Sequence, residues 1–286
     1  MIIVRMQGGL GNQLFQYSFA KYVGLLSKKR VYFDTFWYRV RRRYQFALSI
    51  ENFNVRLNKF PVSVAKHYGQ AAFAAKLLGG KALNFFPVRV TDDNFSEGIV
   101  TVNRHVVLDG YWEDFSLFEG FRNEILSEYT PKKNLGKSSE EFCREISKTD
   151  SVSVHFRGGQ YLSDPSIRNL YADLSRSYYV KAMEMMERSI GQPRFYIFTN
   201  DIPEARKAFS GMERVTVVDN ESPDFEHLYL MSQCKHSIIA NSTFSWWGAW
   251  LNRNPNKVVV APKQWFSPGN HARPTSIPPD WTRLDN

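Results

Sequence analysis

Short β-branched segments alternate with helical segments along this chain, and this alternation limits the possible folds more than any other feature. Strands that alternate with helices favour a parallel sheet with helices on both of its faces. The second half predicts strands at 151–156, 194–200, 215–219, 237–240 and 258–261, the last of the chain, and helices at 178–188, 225–233 and 243–251. The first half predicts strands at 2–6, 30–33 and 106–111, a helix from Asn12 to about Ser27, and a helical patch near 67–78 within an otherwise irregular region.

The chain is long enough for two domains of this kind. It has 286 residues, of which 43% are hydrophobic, and this content is ample for packed cores. The stretch PKKNLGKSS, at Pro131–Ser139, has the composition of a linker. We therefore predict an α/β protein with two Rossmann-like domains, at 1–135 and 150–286, that face each other across a cleft.

One strand of the second half ends in two glycines. The stretch SVSVHFRGGQY, at Ser151–Tyr161, predicts a strand followed by a tight turn, in which Gly158 and Gly159 can take positive φ. Arg157 would then stand at the carboxyl end of a strand, where open α/β sheets bind their ligands. A planar guanidinium can hold a phosphate there through two parallel contacts. The alternative is an ordinary turn whose arginine faces water.

Two further corners of the chain favour an anion. In QGGLGNQLFQY the glycines predict a turn, and Asn12 is a good N-cap for the helix that follows. The spacing differs from the GxGxxG fingerprint of dinucleotide-binding proteins. Asn241–Ser245 offers N–H groups and hydroxyls at a helix start, although plain capping is the alternative there. Together with Arg157, these corners suggest a diphosphate site.

Charge and cysteine content restrict the partners and the compartment. The formal net charge is +9, from 37 basic and 28 acidic residues, and this excess predicts an anionic partner. The densest basic cluster, Arg39 with Arg41–Arg43, lacks the signatures of nucleic-acid-binding motifs, and a solvated loop is the alternative. The chain has two cysteines without metal or disulfide spacing, no signal peptide pattern, and no apolar run of ~18 residues. These features predict a cytosolic protein.

Several motifs together resemble one family of glycosyltransferases. They are GGLGNQLFQY near the start, GYW at Gly110–Trp112, HFRGGQY, FYIFTND at Phe195–Asp201, and LYLMSQCKHSIIANSTFSWWGAWLN at Leu228–Asn252. Through them the chain resembles glycosyltransferase family 11, the α-1,2-fucosyltransferases, nearly from end to end. The resemblance implies a GT-B fold, GDP-fucose as donor, a galactose hydroxyl as acceptor, and inversion at the anomeric carbon without a metal or other cofactor. The sequence contains no Asp-x-Asp triplet that could hold a metal.

The resemblance also implies roles for individual residues. Arg157 would hold the diphosphate and stabilise its charge as the bond from sugar to phosphate breaks, and His155 would lie beside the nucleotide. Further donor contacts would come from Ser242 and Thr243, and across the cleft from Gly11 and Asn12. On the acceptor side we place Tyr111, Trp112, Glu113 and Asp114, of which the two acidic residues are candidates for the general base.

The chain departs from the family pattern in its central motif and in the helix before LMS. The family usually reads HxRxGDY, and here Gly158 and Gln160 stand where a larger residue and an aspartate are common. His227 replaces an aspartate that recognises the base in relatives, and a histidine offers fewer acceptor lone pairs than a carboxylate. Asp224 or Glu226 would then have to accept the hydrogen bonds of guanine.

The resulting prediction is a galactoside α-1,2-fucosyltransferase, which moves L-fucose from GDP-β-L-fucose to the 2-hydroxyl of a galactose in a bacterial surface oligosaccharide such as an O-antigen. Two alternatives stay open: a transferase of the same fold that uses another nucleotide sugar, and a paralogue that binds glycan or nucleotide without turnover. The expected partners are the donor and a galactose-terminated oligosaccharide, free or lipid-linked, and not nucleic acid. The expected location is the cytoplasm, with at most peripheral contact with the inner face of the plasma membrane.

Overall fold

The computed structural model describes residues 1–40, 46–61, 87–102, 105–157, 169–269 and 275–286. The chain divides into two compact units, Met1–Thr130 and Pro131–Asn286. The predicted helical patch near 67–78 and the basic residues Arg41–Arg43 lie outside the described residues, as do Gly158, Gly159 and Gln160. In the described part of the chain, no helix combines the length and the apolar character that crossing a membrane requires.

In its described residues, the first unit is an α/β structure with four strands. Its strands are β1 (Ile2–Arg5), β2 (Val31–Asp34), β3 (Val88–Val90) and β4 (Val106–Leu108). They form one parallel sheet in the order β2-β1-β4-β3. Its helices are α1 (Leu10–Ser27), α2 (Trp37–Val40), α3 (Glu97–Thr101) and α4 (Arg122–Glu128), with 3-10 turns at Ser49–Asn52, Phe115–Leu117 and Glu119–Phe121.

The helix after β1 begins earlier than the sequence indicates. Apolar residues at helical spacing, among them Leu14, Phe15 and Phe19, are buried as the periodicity predicts. Asn12, however, is not the N-cap: it lies inside the first turn, and Gly9 takes the capping position. The physical reason is the turn before the helix, where Gly8 adopts a φ of +82° that favours glycine.

The second unit is built on a larger parallel sheet. Its strands are β5 (Ser151–Phe156), β6 (Arg194–Thr199), β7 (Val215–Val217), β8 (His236–Ile238), β9 (Val259–Pro262) and β10 (Thr282–Leu284). The order of these strands is β10-β9-β8-β5-β6-β7. Its helices are α5 (Lys137–Ser147), α6 (Arg176–Ile190), α7 (Ile202–Ala208), α8 (Asp224–Gln233) and α9 (Thr243–Leu251).

Packing on both faces explains the strands of this sheet. Val152 and Val154 of β5 belong to a core cluster with α6, and on β6 Tyr196 and Phe198 belong to a second cluster with α8. Successive side chains of a strand point to opposite faces, so β6 is apolar on both of its covered faces, whereas β5 alternates valines with the small buried residues Ser151 and Ser153. The strand predictions at 151–156 and 194–200 are therefore nearly exact.

Short edge elements are where the sequence prediction was wrong. Strand 258–261 is not the last, because β10 pairs with β9 at the edge of the sheet. Two of the three β10 residues are exposed, so this strand lacks the apolar pattern that would reveal it. The strand predicted at 106–111 ends at Leu108. The strand β3 and the helix α3 lie before β4, in the part of the first half that the sequence predicts to be irregular. The predicted linker ends at Gly136, since α5 begins at Lys137.

The loop that follows β4 is held by one carboxylate. Asp92 accepts hydrogen bonds from the backbone N–H groups of Tyr111 (3.0 Å) and Trp112 (2.7 Å). A Cβ atom added to Gly110 would overlap this carboxylate, so only glycine permits the close approach. The loop is thereby fixed where Tyr111 stays exposed and Trp112 is buried.

We predict that Gly110→Ala lowers the free energy of unfolding of the first unit by about 1–3 kcal/mol, the usual range for overpacking. The measurement is urea unfolding of the full chain. The matched control is Gly98→Ala in α3, where an added Cβ meets nothing within 4 Å. The control should be neutral or stabilise by up to about 1 kcal/mol, because alanine favours a helix. Equal effects of the two variants would contradict the role of the Asp92 contact.

Candidate active site

The Arg157 corner and the Asn241 corner of the second unit meet at one edge of its sheet. β5 and β8 are parallel neighbours, so their carboxyl ends lie side by side. The Arg157 Nη1 atom donates a hydrogen bond of 2.7 Å to the backbone carbonyl of Asn241. This contact joins the end of β5 to the residue that immediately precedes the N-cap of α9.

The guanidinium of Arg157 is positioned from several sides. Its Cζ atom lies 4.9 Å from the centroid of the Tyr171 ring, a cation–π arrangement. The backbone N–H of Arg157 donates to the Tyr179 hydroxyl at 3.4 Å. Burial lowers the pKa of Arg157 to about 10, against the opposing influence of the two tyrosines, so the group remains charged at neutral pH. The result is a half-buried cation at the carboxyl edge of the sheet.

The side chain of Asn241 holds two other segments at the same place. It is buried, and its Nδ2 atom donates to the backbone carbonyls of Ala172 (2.7 Å) and Trp265 (3.0 Å). The carbonyl that accepts from Arg157 is therefore fixed by contacts to two loops. The sequence did not predict these two hydrogen bonds of the Asn241 side chain.

The start of α9 is capped by its own hydroxyls. Ser242 is the N-cap, and its Oγ atom accepts from the N–H of Phe244 at 3.3 Å. Thr243 is half-buried at the first position of the helix. Behind this start, α9 is anchored by buried tryptophans, of which Trp246 donates from Nε1 to the Ser276 carbonyl at 2.9 Å. The capping alternative thus holds for Ser242, while the positive end of the helix dipole still points toward the Arg157 corner.

His155 lies two residues before Arg157, at the end of β5. Its Nδ1 atom is sealed from solvent and has no hydrogen-bond partner among the described residues. The ring lies 5.7 Å from that of Phe244. Burial, together with the nearby charge of Arg157, lowers the pKa of His155 to about 3. His155 is therefore a neutral imidazole at any physiological pH.

The three predicted base-recognition residues have different surroundings on α8. Glu226 is buried, and its Oε1 and Oε2 atoms accept from the N–H of Gly136 at 3.2 and 3.3 Å, at the N-cap of α5. Asp224 is exposed at the first position of α8. His227 is half-buried, and its Nε2 atom lies 2.6 Å from Asn220 Oδ1. The Glu226 carboxylate thus accepts from the start of α5, and the contact of Asp224 or Glu226 to guanine stays a prediction.

In the first unit, Gly11 and Asn12 lie in the first turn of α1, and two glutamines beside them brace the glycine turn. Gln13 donates from Nε2 to the carbonyls of Gly8 (3.2 Å) and Ala47 (2.8 Å). Gln16 donates to the Gly110 carbonyl at 3.1 Å. Both glutamines are fully buried. Their position on the apolar face of the predicted helix is a signal in the sequence that could have identified them, because a buried polar side chain needs a hydrogen-bond partner.

Among the predicted acceptor-side residues, Trp112 and Asp114 make contacts that support the fold, whereas Tyr111 is exposed. Trp112 is buried and stacks on Phe19, with ring centroids 4.1 Å apart, so its ring cannot serve as a surface for a sugar. Asp114 accepts from the Ser116 N–H (3.1 Å) and hydroxyl (2.7 Å) and caps a 3-10 turn. Tyr111 is 44% exposed, and Glu113 is half-buried close to it.

Metal-ligand residues do not cluster in the described ranges. No group of three His, Cys, Asp or Glu side chains there is arranged to hold a metal ion. The cationic groups of the site are the Arg157 guanidinium and the start of α9.

Comparisons with known proteins connect this arrangement to glycosyltransferases. The model of glycosyl transferase family 11 matches residues 103–285. An O-antigen biosynthesis glycosyltransferase from Escherichia coli, WbnK, is 29% identical, covering 94% of this chain and 96% of that protein. An alpha-1,2-colitosyltransferase from Escherichia coli is 26% identical, covering 100% of this chain and 99% of that protein.

A solved structure shows the same fold. A mutant of FUT1 from Arabidopsis thaliana, in complex with GDP, superposes with a TM-score of 0.51 at 9% sequence identity, covering 90% of this chain and 69% of that one. The predicted GT-B type of α/β fold is thereby confirmed.

We predict that Asn241→Asp destabilises the second unit by at least about 2 kcal/mol, because the buried carbonyls of Ala172 and Trp265 lose their donor and each unsatisfied group costs about 1–3 kcal/mol. Chemical denaturation followed by tryptophan fluorescence measures the change, since tryptophans of α9 are buried in this unit. The control is Asn256→Asp, at an exposed position of the same unit. If Asn256→Asp destabilises the unit as much as Asn241→Asp does, the hydrogen bonds of the Asn241 side chain are unimportant for its stability.

Proposed function

Because this chain belongs to glycosyl transferase family 11, we propose that it transfers L-fucose from GDP-β-L-fucose, with inversion, to the 2-hydroxyl of a galactose in an O-antigen oligosaccharide. The observation that carries the proposal is the half-buried Arg157, held on the Asn241 carbonyl beside the start of α9. The O-antigen as target is supported by the name of the relative WbnK. The fucosyl donor is supported by the motif resemblance. We place the reaction in the cytoplasm, where nucleotide sugars are available.

The chemistry requires stabilisation of a leaving group. In a single inverting displacement, the acceptor hydroxyl attacks the anomeric carbon while the nucleoside diphosphate departs with its negative charge. A charged guanidinium and the N-terminus of a helix are the groups that stabilise such a charge. Arg157 and the backbone at Thr243 supply them at neighbouring strand ends, and no metal is needed in this scheme. The restraints on Arg157 fix the cation before the charge develops, so little reorganisation opposes the reaction.

On the acceptor side we propose roles for Tyr111 and Glu113. Tyr111 presents an exposed ring that can pack on the apolar face of a sugar. We take Glu113 as the candidate general base because it lies close to the exposed Tyr111. A carboxylate within hydrogen-bond reach of the galactose 2-hydroxyl could take its proton as the new bond forms.

A second candidate donor carries colitose. The full-length similarity to an alpha-1,2-colitosyltransferase favours it specifically. Colitose is L-fucose without the 3-hydroxyl, so both sugars fit one scheme of transfer to a 2-hydroxyl. A site that hydrogen-bonds the 3-hydroxyl would reject colitose strongly, whereas an apolar site would discriminate weakly.

The test of the proposed function is a transfer assay of the purified full-length chain with methyl β-D-galactopyranoside as acceptor and GDP-fucose, GDP-colitose, UDP-galactose or a dTDP-sugar as donor. We expect a fucosylated product, unchanged yield in EDTA, and at most a smaller yield from GDP-colitose. A preference for GDP-colitose would show that the donor sugar is colitose, and the proposed transfer to a 2-hydroxyl would still hold. Turnover only with a uridine or thymidine donor would refute the proposal, and activity lost in EDTA and restored by Mg²⁺ would refute metal independence.

We predict that Arg157→Ala lowers kcat by about 30- to 1000-fold, since a preorganised contact to developing charge is worth roughly 2–4 kcal/mol. Arg157→Lys should recover only part of the rate, because lysine keeps the charge without the planar fork. The control is Arg206→Ala, an exposed arginine of α7 in the same unit. Initial rates at saturating donor measure the effect, and circular dichroism verifies the fold. Near wild-type turnover of Arg157→Ala would exclude the site.

A further inference from the structure

Exposed aromatic side chains gather at the carboxyl edge of the first sheet. Phe46 and Tyr111 are 50% and 44% exposed, and they are the aromatic members of the exposed large hydrophobic residues in the described ranges. Trp37 lies in α2, which follows β2, and Tyr111 follows β4. β2 and β4 are the two neighbours of β1 in a parallel sheet, so these rings lie at one edge, where open α/β sheets bind ligands.

Phe46 and Trp37 together present a flat apolar surface. Their rings are within 22° of parallel, with centroids 6.5 Å apart. The Phe46 ring also lies beside the glycine turn that precedes α1, since a Cβ atom added to Gly9 would stand 3.4 Å from it. The next residue, Ala47, is fixed by its carbonyl, which accepts from Gln13 at 2.8 Å. We call the rings of Trp37 and Phe46 the aromatic platform.

Tyr38 connects this platform to Tyr111. The Tyr38 ring packs edge to face on Trp37, with centroids 4.9 Å apart. Its hydroxyl donates to the Gly8 carbonyl at 3.0 Å, which fixes it at the glycine turn. Burial raises the pKa of Tyr38, and the neighbouring Tyr111 hydroxyl adds to the rise, so the two phenol groups lie close together. The platform and Tyr111 are therefore parts of one surface.

The chemistry of this surface suits a carbohydrate. A pyranose ring carries C–H groups on one face, and an exposed aromatic ring can cover them while the hydroxyls stay in water. The proposed function has galactose on Tyr111, with Glu113 close to it. The aromatic platform beside Tyr111 would then meet the sugar to which that galactose is linked. Ring stacking recognises an apolar face and not a pattern of hydroxyls, so this contact should tolerate different sugars.

We propose that Trp37 and Phe46 form a second acceptor subsite, which binds by stacking the sugar to which the terminal galactose is linked. This inference rests on the proposed function, and it adds the size of the acceptor, which should have at least two rings. It also defines the selectivity of the subsite. The second ring can be any pyranose with an apolar face, or a phenyl group.

Three acceptors distinguish this subsite from a site for galactose alone. They are methyl β-D-galactopyranoside, methyl β-lactoside and phenyl β-D-galactopyranoside, of which the first lacks a second ring. We expect KM for the last two to be lower by about 5- to 50-fold, the effect of covering roughly 40–90 Å² of apolar ring surface. Similar kcat values are expected, because the platform touches no reacting atom. Equal KM values for all three acceptors would overturn the proposal.

Variants of Phe46 assign the effect to the platform. Phe46→Ala should raise KM for the lactoside and the phenyl galactoside by about 5- to 50-fold and leave KM for methyl galactoside within about 2-fold. Phe46→Tyr keeps a ring and should retain the low KM values, whereas Phe46→Leu should lose most of the gain. Circular dichroism verifies the fold of each variant.

The matched control is Leu25→Ala, which removes another exposed apolar side chain of the same unit and should behave like the wild-type protein. If Phe46→Ala raises KM for all three acceptors equally, Phe46 supports the place of the galactose, and the second subsite is refuted. If Phe46→Ala weakens GDP binding and leaves lactoside binding unchanged, the platform contacts the nucleotide, and the inference is again wrong.

The fluorescence of Trp37 measures binding without turnover. Titration of the full-length chain with methyl β-lactoside should change the tryptophan emission, and Trp37→Phe, which keeps a ring, should lose this change while retaining KM. If no donor supports transfer but this binding is seen and is weaker in Phe46→Ala, the sugar subsite is supported and the proposed reaction is refuted. If transfer to methyl galactoside proceeds and lactoside binding does not depend on Phe46, the inference is wrong and the proposed function stands.

Discussion

The hydrogen bond from Arg157 to the Asn241 carbonyl is the constraint on which the candidate site depends. It spans two adjacent parallel strands, and a long cationic side chain would otherwise be free to swing into solvent. Asn241 is itself fixed by two loops, so the position of the guanidinium is set by the packing of the unit. A cation that is already immobile can stabilise a developing charge without paying for reorganisation at that moment. The interaction therefore connects the topology of the sheet to the proposed chemistry.

Several polar residues that looked available for ligands are instead used to start helices. Asp114, Ser242 and Glu226 each accept a backbone N–H at or near a helix start. The first N–H groups of a helix have no partner within it, and a buried or half-buried start demands an acceptor nearby. A residue type suited to anion or base recognition is equally suited to capping. Only the neighbours in space decide between the two uses.

The second unit divides its polar groups by charge. Arg157 and the N-terminal start of α9 are positive and stand where a diphosphate is proposed, whereas His155 and His227 are kept neutral by burial. Neutral groups with specific donor or acceptor atoms suit a nucleobase, and charged groups suit a phosphate. Both kinds lie at the carboxyl edge of one parallel sheet, which is where open α/β sheets bind nucleotides.

The sequence by itself determined the α/β class, the central strands and the place of Arg157 at the carboxyl end of a strand, because these features follow from periodicity and from residue chemistry. The interior strand β6 was predictable since its apolar character reflects two covered faces, and β5 was predictable from valines that alternate with small serines. The edge strand β10 was not, because exposed residues lose that pattern. Tertiary structure alone decided that Glu226 faces Gly136, that Trp112 is buried, and that Arg157 contacts Asn241. Each of these depends on a contact between segments distant in sequence, and local sequence carries no record of the partner.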